Sequence, residues 1–192
     1  MPDMRAALLV LGAVSLAGLA TAYRPQPNPV FSASPAPPQS RIALAAPRTL
    51  PGGGSPVQSV LNVRSKMSYG EFVWNEDGVP TGRLWIRVDR RAQLVSVFRG
   101  AHEIAAAVIL YGAPEKPTPA GSYPVLKKLR DHRSATYGAD MPFTLRLTED
   151  GISIHASDVR EGYATHGCIG VPREFARRLF ENTAVGDEVV IV

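Results

Sequence analysis

The chain has 192 residues, 45% hydrophobic and 20% charged, with a formal net charge of +4 and one cysteine, Cys168. A single cysteine excludes an internal disulfide framework, and no clustered Lys/Arg stripe with interleaved aromatics points to nucleic acid. The positive balance suits work beside an anionic polymer or membrane surface, and it is equally ordinary for a secreted basic protein.

At the start of the chain, Met1 to Arg5 carries one arginine, and Ala6 to Leu19 is a run of apolar or small residues. Ala20-Thr21-Ala22 then supplies a small-x-small cleavage site. This is the anatomy of a secretory signal peptide over residues 1–22. The run has 14 residues, whereas a membrane-spanning helix needs about 20. Export to the periplasm or cell envelope is therefore expected, with no stable membrane span after signal cleavage; an uncleaved anchor is the alternative. Residues 23–59 are expected to be a disordered linker, rich in Pro, Ala, Ser and Gly through Pro56. Such a composition buries too little apolar surface to offset the entropy of ordering.

From residue 60 to 192 the pattern is that of one folded domain. Arg83–Asp89 alternates polar and apolar residues and predicts a strand; Gln93–Arg99 returns after a short turn as its hairpin partner. Glu103–Leu110 reads as a buried strand, and Pro114–Gly121 as a loop punctuated by Gly and Pro. Ser122–Lys128, Phe143–Leu147 and Ile152–His155 are further short strands. Pro172 suits the start of a helix whose apolar face is Phe175, Ala176, Leu179 and Phe180. Gly186 ends that stretch, and Glu188–Val192 is a closing strand. The fold class is mostly β, a β-rich α+β domain with one or two short helices.

The chemistry concentrates around Cys168, in the run Thr165-His166-Gly167-Cys168-Ile169-Gly170, with a second histidine upstream in Ser153-Ile154-His155-Ala156-Ser157. A free thiol is mostly protonated at neutral pH and needs a neighbouring base or cation to act as a nucleophile. His155 is placed to take that proton and return it to a leaving amine. Gly167 and the amides around Cys168 can point N–H groups at a developing oxyanion. No acidic residue is an obvious third member. Asp158 is a candidate, and a main-chain carbonyl near Ala156 or Ser157 orients the imidazole equally well. Two other readings compete. His155, His166 and Cys168, with His132, supply zinc-type ligands, although His-x-Cys is an unusual chelate spacing. Cys168 is otherwise a buried structural residue with two incidental histidines.

The histidine, the spacer ending Gly162-Tyr163-Ala164, and the Thr-His-Gly-Cys run together resemble the signature of the YkuD family of L,D-transpeptidases. Thr118-Pro119-Ala120-Gly121-Ser122-Tyr123 is similar to the family's Thr-Pro-x-Gly-x-aromatic turn, and Tyr137–Phe143 to the stretch before the histidine strand. Val185–Ile191 is similar to its closing strand, so the resemblance spans about Gly82 to Val192. It implies a small β-sandwich or barrel acting on peptidoglycan stem peptides, with no cofactor and no metal. Carried over, Cys168 is the nucleophile and His155 the general base and acid; His166, Gly167, Thr165, Tyr137 and Ser157 shape the site or its oxyanion hole. The implied reaction expels a terminal D-alanine, forms a thioester and passes it to a second stem in a 3→3 cross-link. Water, a free D-amino acid or a protein amine are alternative acceptors, and a non-catalytic peptidoglycan-binding domain is the alternative outside enzymology. One departure stands out. Gly170 occupies a position where the family usually has arginine or asparagine, which leaves altered specificity or compensation by Arg160 or Arg173.

Overall fold

A computed structural model describes residues 40–63 and 66–192. The predicted signal peptide lies outside the described residues, as does the first part of the predicted linker. Among the described residues, no helix is long and apolar enough to cross a membrane.

The linker expected to continue to residue 59 is sheet over much of its second half. β1 (Arg41–Arg48) pairs antiparallel with β2 (Val57–Leu61), through Arg41↔Leu61, Ile42↔Val60 and Ala43↔Ser59. The register then shifts to Arg48↔Val57. Composition misses this because ladder pairing satisfies backbone N–H and C=O groups whatever the side chains are. Two further contacts fix the segment. The Arg41 guanidinium donates to the carbonyls of Glu103 and Asn75, and Leu44 and Leu50 pack against buried Trp85 and Phe98. The Trp85 and Phe98 rings stack at 4.2 Å. Gly54 passes so close that a β-carbon there would lie 2.7 Å from the Trp85 ring. The Gly-rich turn is thus a packing requirement, and the domain begins before residue 60.

The predicted hairpin is present as β4 (Leu84–Asp89) and β5 (Leu94–Arg99). Around it the chain adds β3 (Phe72–Trp74) and β6 (His102–Val108). The segment predicted as one strand over 122–128 is two. β7 (Gly121–Pro124) pairs with the closing strand, while β8 (Lys127–Leu129) joins a second sheet. The chain crosses between sheets at buried Val125, the usual way a strand turns a corner in a two-sheet fold. β9 (Thr144–Arg146), β10 (Ser153–Ala156) and β11 (Ile169–Val171) complete the second sheet. α1 (Arg173–Asn182) and β12 (Glu188–Ile191) close the chain.

The larger sheet runs β1-β2-β6-β5-β4-β12-β7 with β3 on β6, and the smaller runs β11-β10-β9-β8. Neither closes into a barrel, so the sandwich alternative describes the domain. Both sheets and α1 share one core that includes Ile86, Val97, Ile104, Ile154, Ile169 and Phe175. Phe175 sits edge-on to Phe72 at 5.8 Å and to Trp74 at 5.5 Å, which docks α1 on β3. Pro172 precedes the helix without a side-chain cap. On its solvent face, Arg177 and Arg178 hold Glu174 well below the usual carboxylate range, at about 2.

Candidate active site

β10 and β11 run parallel, in register through Ile154↔Ile169 and His155↔Gly170. Extending the ladder by one residue sets Cys168 opposite Ser153. In a parallel pair, facing residues project to the same side, and side chains two positions apart stay within reach on the diagonal. His155 and Cys168 therefore share a face, while Ile154 and Ile169 point to the core, at 1% and 0% exposure. The short strand β11, absent from the predicted elements, is what brings the two together. Leu110 holds it from the other side, with reciprocal backbone bonds to Gly170 of 2.8 and 2.9 Å.

His155 is buried, and its Nδ1 lies 2.8 Å from the Ala156 carbonyl. A carbonyl only accepts, so Nδ1 carries the proton and Nε2 is left as the basic nitrogen. The Ser157 hydroxyl lies 3.3 Å from the same Nδ1. Burial pushes the imidazole below the ordinary histidine value; the Ala156 bond opposes this and the nearby His132 adds to it. Asp158, the acidic candidate for orienting the ring, instead pairs with Arg160 at 2.6 Å on the surface. The orienting group is the backbone carbonyl.

The Cys168 thiol donates to the Gly151 carbonyl at 3.7 Å. Its pKa is pushed up by burial, against the Ser153 N–H and the charge of Lys116, which favour the thiolate. Burial thus favours the neutral form of each group.

The loop carrying the thiol is braced from beneath. Gly167 has φ of +105°, and a β-carbon on it would lie 3.0 Å from Ile152. The Thr165 hydroxyl donates to the Cys168 carbonyl at 2.6 Å. Thr118 is 1% exposed; its hydroxyl donates to the Gly167 carbonyl and accepts from Gly112 N–H, both at 2.9 Å. Sequence reasoning placed Thr118 in a motif without giving it a task, and its burial is the signal that was missing. Among the described residues, no turn or loop hydrogen bond takes the N–H group of Gly167 or Cys168. That leaves them available for an oxyanion.

The rim is formed by exposed residues from three loops. Tyr137 sits near the tip of an excursion tied by the Arg133–Asp140 ion pair and by Met141 N–H to the His132 carbonyl. Its ring stacks on His166 at 4.4 Å, and its hydroxyl accepts from Lys116 Nζ at 2.9 Å. His166 is thus part of the wall. Among the described residues, no three His, Cys, Asp or Glu side chains are grouped to hold a metal ion.

Gly170 is buried, and a β-carbon on it would fall 2.7 Å from Ser157 Oγ and 2.8 Å from Ser157 Cβ. The two arginines suggested as substitutes for a side chain at 170 are engaged elsewhere. Arg160 pairs with Asp158, and Arg173 lies over the Phe143 ring at 5.6 Å.

The two-sheet domain thus carries a buried imidazole and a thiol on one face of the β10–β11 ladder, the thiol on a glycine-braced loop. The YkuD L,D-transpeptidase catalytic-domain model matches residues 83–191, more than half of the chain. The chain belongs to that family. A probable L,D-transpeptidase 3 from Mycobacterium tuberculosis is 32% identical over 97 residues, covering 42% of this chain and 36% of that protein. L,D-transpeptidase 1 of the same organism is 29% identical over 134 residues, covering 60% of this chain and 53% of its own length. The chain thus spans about half or less of these relatives. An L,D-transpeptidase structure from Stackebrandtia nassauensis has the same fold, with a TM-score of 0.54 at 20% identity over 59% of this chain and 57% of that one.

Proposed function

We propose that the chain is an exported cysteine L,D-transpeptidase that remodels peptidoglycan in the cell envelope. The observation that carries this reading is the shared face of His155 and Cys168 on the β10–β11 ladder, with Nδ1 pinned so that Nε2 is the free base. His155 takes the Cys168 proton, and the thiolate attacks the carbonyl of the third, diamino-acid residue of a tetrapeptide stem. The oxyanion is received by the N–H groups around Gly167 and Cys168. Collapse breaks the peptide bond to the terminal D-alanine, whose amine takes the proton from His155, and leaves a thioester on Sγ. The side-chain amine of a second stem attacks that thioester and gives its proton to His155; the C–S bond breaks and a 3→3 cross-link results. Residues 1–22 serve as the export signal in this reading, and the folded domain that follows carries the catalytic function.

A solved LD-transpeptidase structure is a complex with imipenem, which makes a carbapenem the natural probe. Meropenem is expected to give a stoichiometric adduct by intact-protein mass, lost in Cys168→Ala. Incubation with purified tetrapeptide muropeptides, with and without an acceptor, then separates cross-linking from hydrolysis and exchange by product mass. Binding to sacculi without any adduct would identify a wall-binding domain and overturn the enzymatic reading.

A further inference from the structure

The rim holds a pair of hydrogen-bond donors that the reaction above does not use. The turn from Gly112 to Thr118 is folded tightly enough that a β-carbon on Gly112 would lie 2.2 Å from the Lys116 carbonyl. Lys116 N–H closes the turn on the Ala113 carbonyl at 2.9 Å. The turn lays the Lys116 side chain over the nucleophile loop, with Cγ 3.8 Å from where a Gly167 β-carbon would be. Its Nζ is 2.9 Å from the Tyr137 hydroxyl and 5.4 Å from the centre of that ring. Among the described residues, Lys116 has no ion pair, and its hydrogen bond to Tyr137 is the largest influence holding its pKa up.

An ammonium has three donors, and Tyr137 takes one. The phenol, having accepted, keeps its own O–H to donate. Two donors 2.9 Å apart, one of them cationic, match the two oxygens of a single carboxylate. Gly170 has no side chain to do this work, and Arg160 and Arg173 are engaged elsewhere. We propose that Lys116 and Tyr137 form a clamp for the free C-terminal carboxylate of the donor stem peptide. The inference rests on the transpeptidase reading. The carboxylate lies one residue beyond the attacked carbonyl, and Lys116 lies over the residue next to the nucleophile.

The test compares acyl-enzyme formation from a tetrapeptide donor with a free C-terminal carboxylate and from its C-terminal amide, in the full chain. Lys116→Met is expected to lower kcat/KM for the acid about tenfold, mainly through KM, as for loss of a charged hydrogen bond. The amide should be nearly unaffected. Lys116→Arg should restore most of the loss, and Tyr137→Phe should give a smaller, acid-selective loss. Losing the Lys116 charge removes an interaction that favours the Cys168 thiolate, so any resulting slowing must fall on acid and amide alike, and the acid-to-amide ratio of kcat/KM is the readout that isolates the clamp. Equal losses on acid and amide, or no loss on either, would each overturn the clamp. Absence of any adduct on the parent protein, from either donor or from meropenem, would instead sink the transpeptidase reading and the clamp with it.

Discussion

His155 and Gly170 face each other across the parallel β10–β11 ladder, and the space beside Gly170 is filled from the His155 side by Ser157. The Ser157 hydroxyl reaches both: it lies 3.3 Å from His155 Nδ1 and 2.7 Å from the position of a residue-170 β-carbon. Positions 157 and 170 are therefore complementary in volume, and the absence of a side chain at 170 is matched by a packed neighbour. Gly170→Ala should destabilise the domain by about 1–3 kcal/mol, the ordinary cost of overpacking. Ser157→Gly in the same chain should recover part of that. Gly170→Arg should lower stability and bring no gain in acylation. Urea unfolding of the single and double variants measures the coupling, and a stable, more active Gly170→Arg protein would refute it.

The roles of the two nearby histidines separate on geometry. His155 is buried with its tautomer fixed by Ala156, whereas His166 is exposed and stacked on Tyr137. His155→Ala should slow meropenem acylation on the order of a hundredfold or more, as for loss of a positioned base. His166→Ala should have a much smaller effect. The reverse ranking of second-order rate constants would move the base role to His166.

Thr118 holds two loops together with one hydroxyl. Replacing it by the similarly shaped valine strands the Gly112 N–H and the Gly167 carbonyl. Each unpaired buried group costs about 1–3 kcal/mol, so Thr118→Val should lose roughly 2 kcal/mol or more. Because Gly167 adjoins Cys168, the proposed nucleophile, acylation should slow as well. A variant with parent stability by urea unfolding would show that the bond is not maintained in solution.

Much of this was legible in the chain itself, for identifiable reasons. The alternation in Arg83–Arg99 and the apolar face of α1 follow from side-chain periodicity, which survives in any context. Cys168 and His155 stand out in the chain because few residue types perform nucleophilic and base chemistry. β1 was not legible, since Arg41–Arg48 is held by ladder bonds and by an arginine reaching two distant carbonyls. β11 was hidden because a three-residue strand has too few positions to show a pattern. The break between β7 and β8 was hidden because a sheet change leaves the local alternation intact. The choice of Ala156 over Asp158 as the orienting group required coordinates, because every residue offers a carbonyl and only geometry selects one.

Burial acts in opposite directions on the two central groups, lowering the imidazole and raising the thiol. A resting thiolate–imidazolium pair would react with neutral iodoacetamide at nearly constant rate across mildly acidic and neutral pH. A neutral pair should instead show a rate that climbs with pH into the range above about 8.5, the ordinary thiol value. Stability carries the same signature. For His155 the unfolded chain binds the proton more tightly than the folded one. Stability from this group is full above about 6.5 and is lost as pH falls toward the lowered folded value. For Cys168 the folded chain holds the proton more tightly. Its contribution is full below about 8.5 and is lost as pH rises toward the raised folded value. Urea midpoints should therefore fall on both sides of a neutral plateau, with His155→Gln flattening the acid limb and Cys168→Ala the alkaline one. An alkylation rate already level at pH 6 would establish the ion pair and reverse both signs.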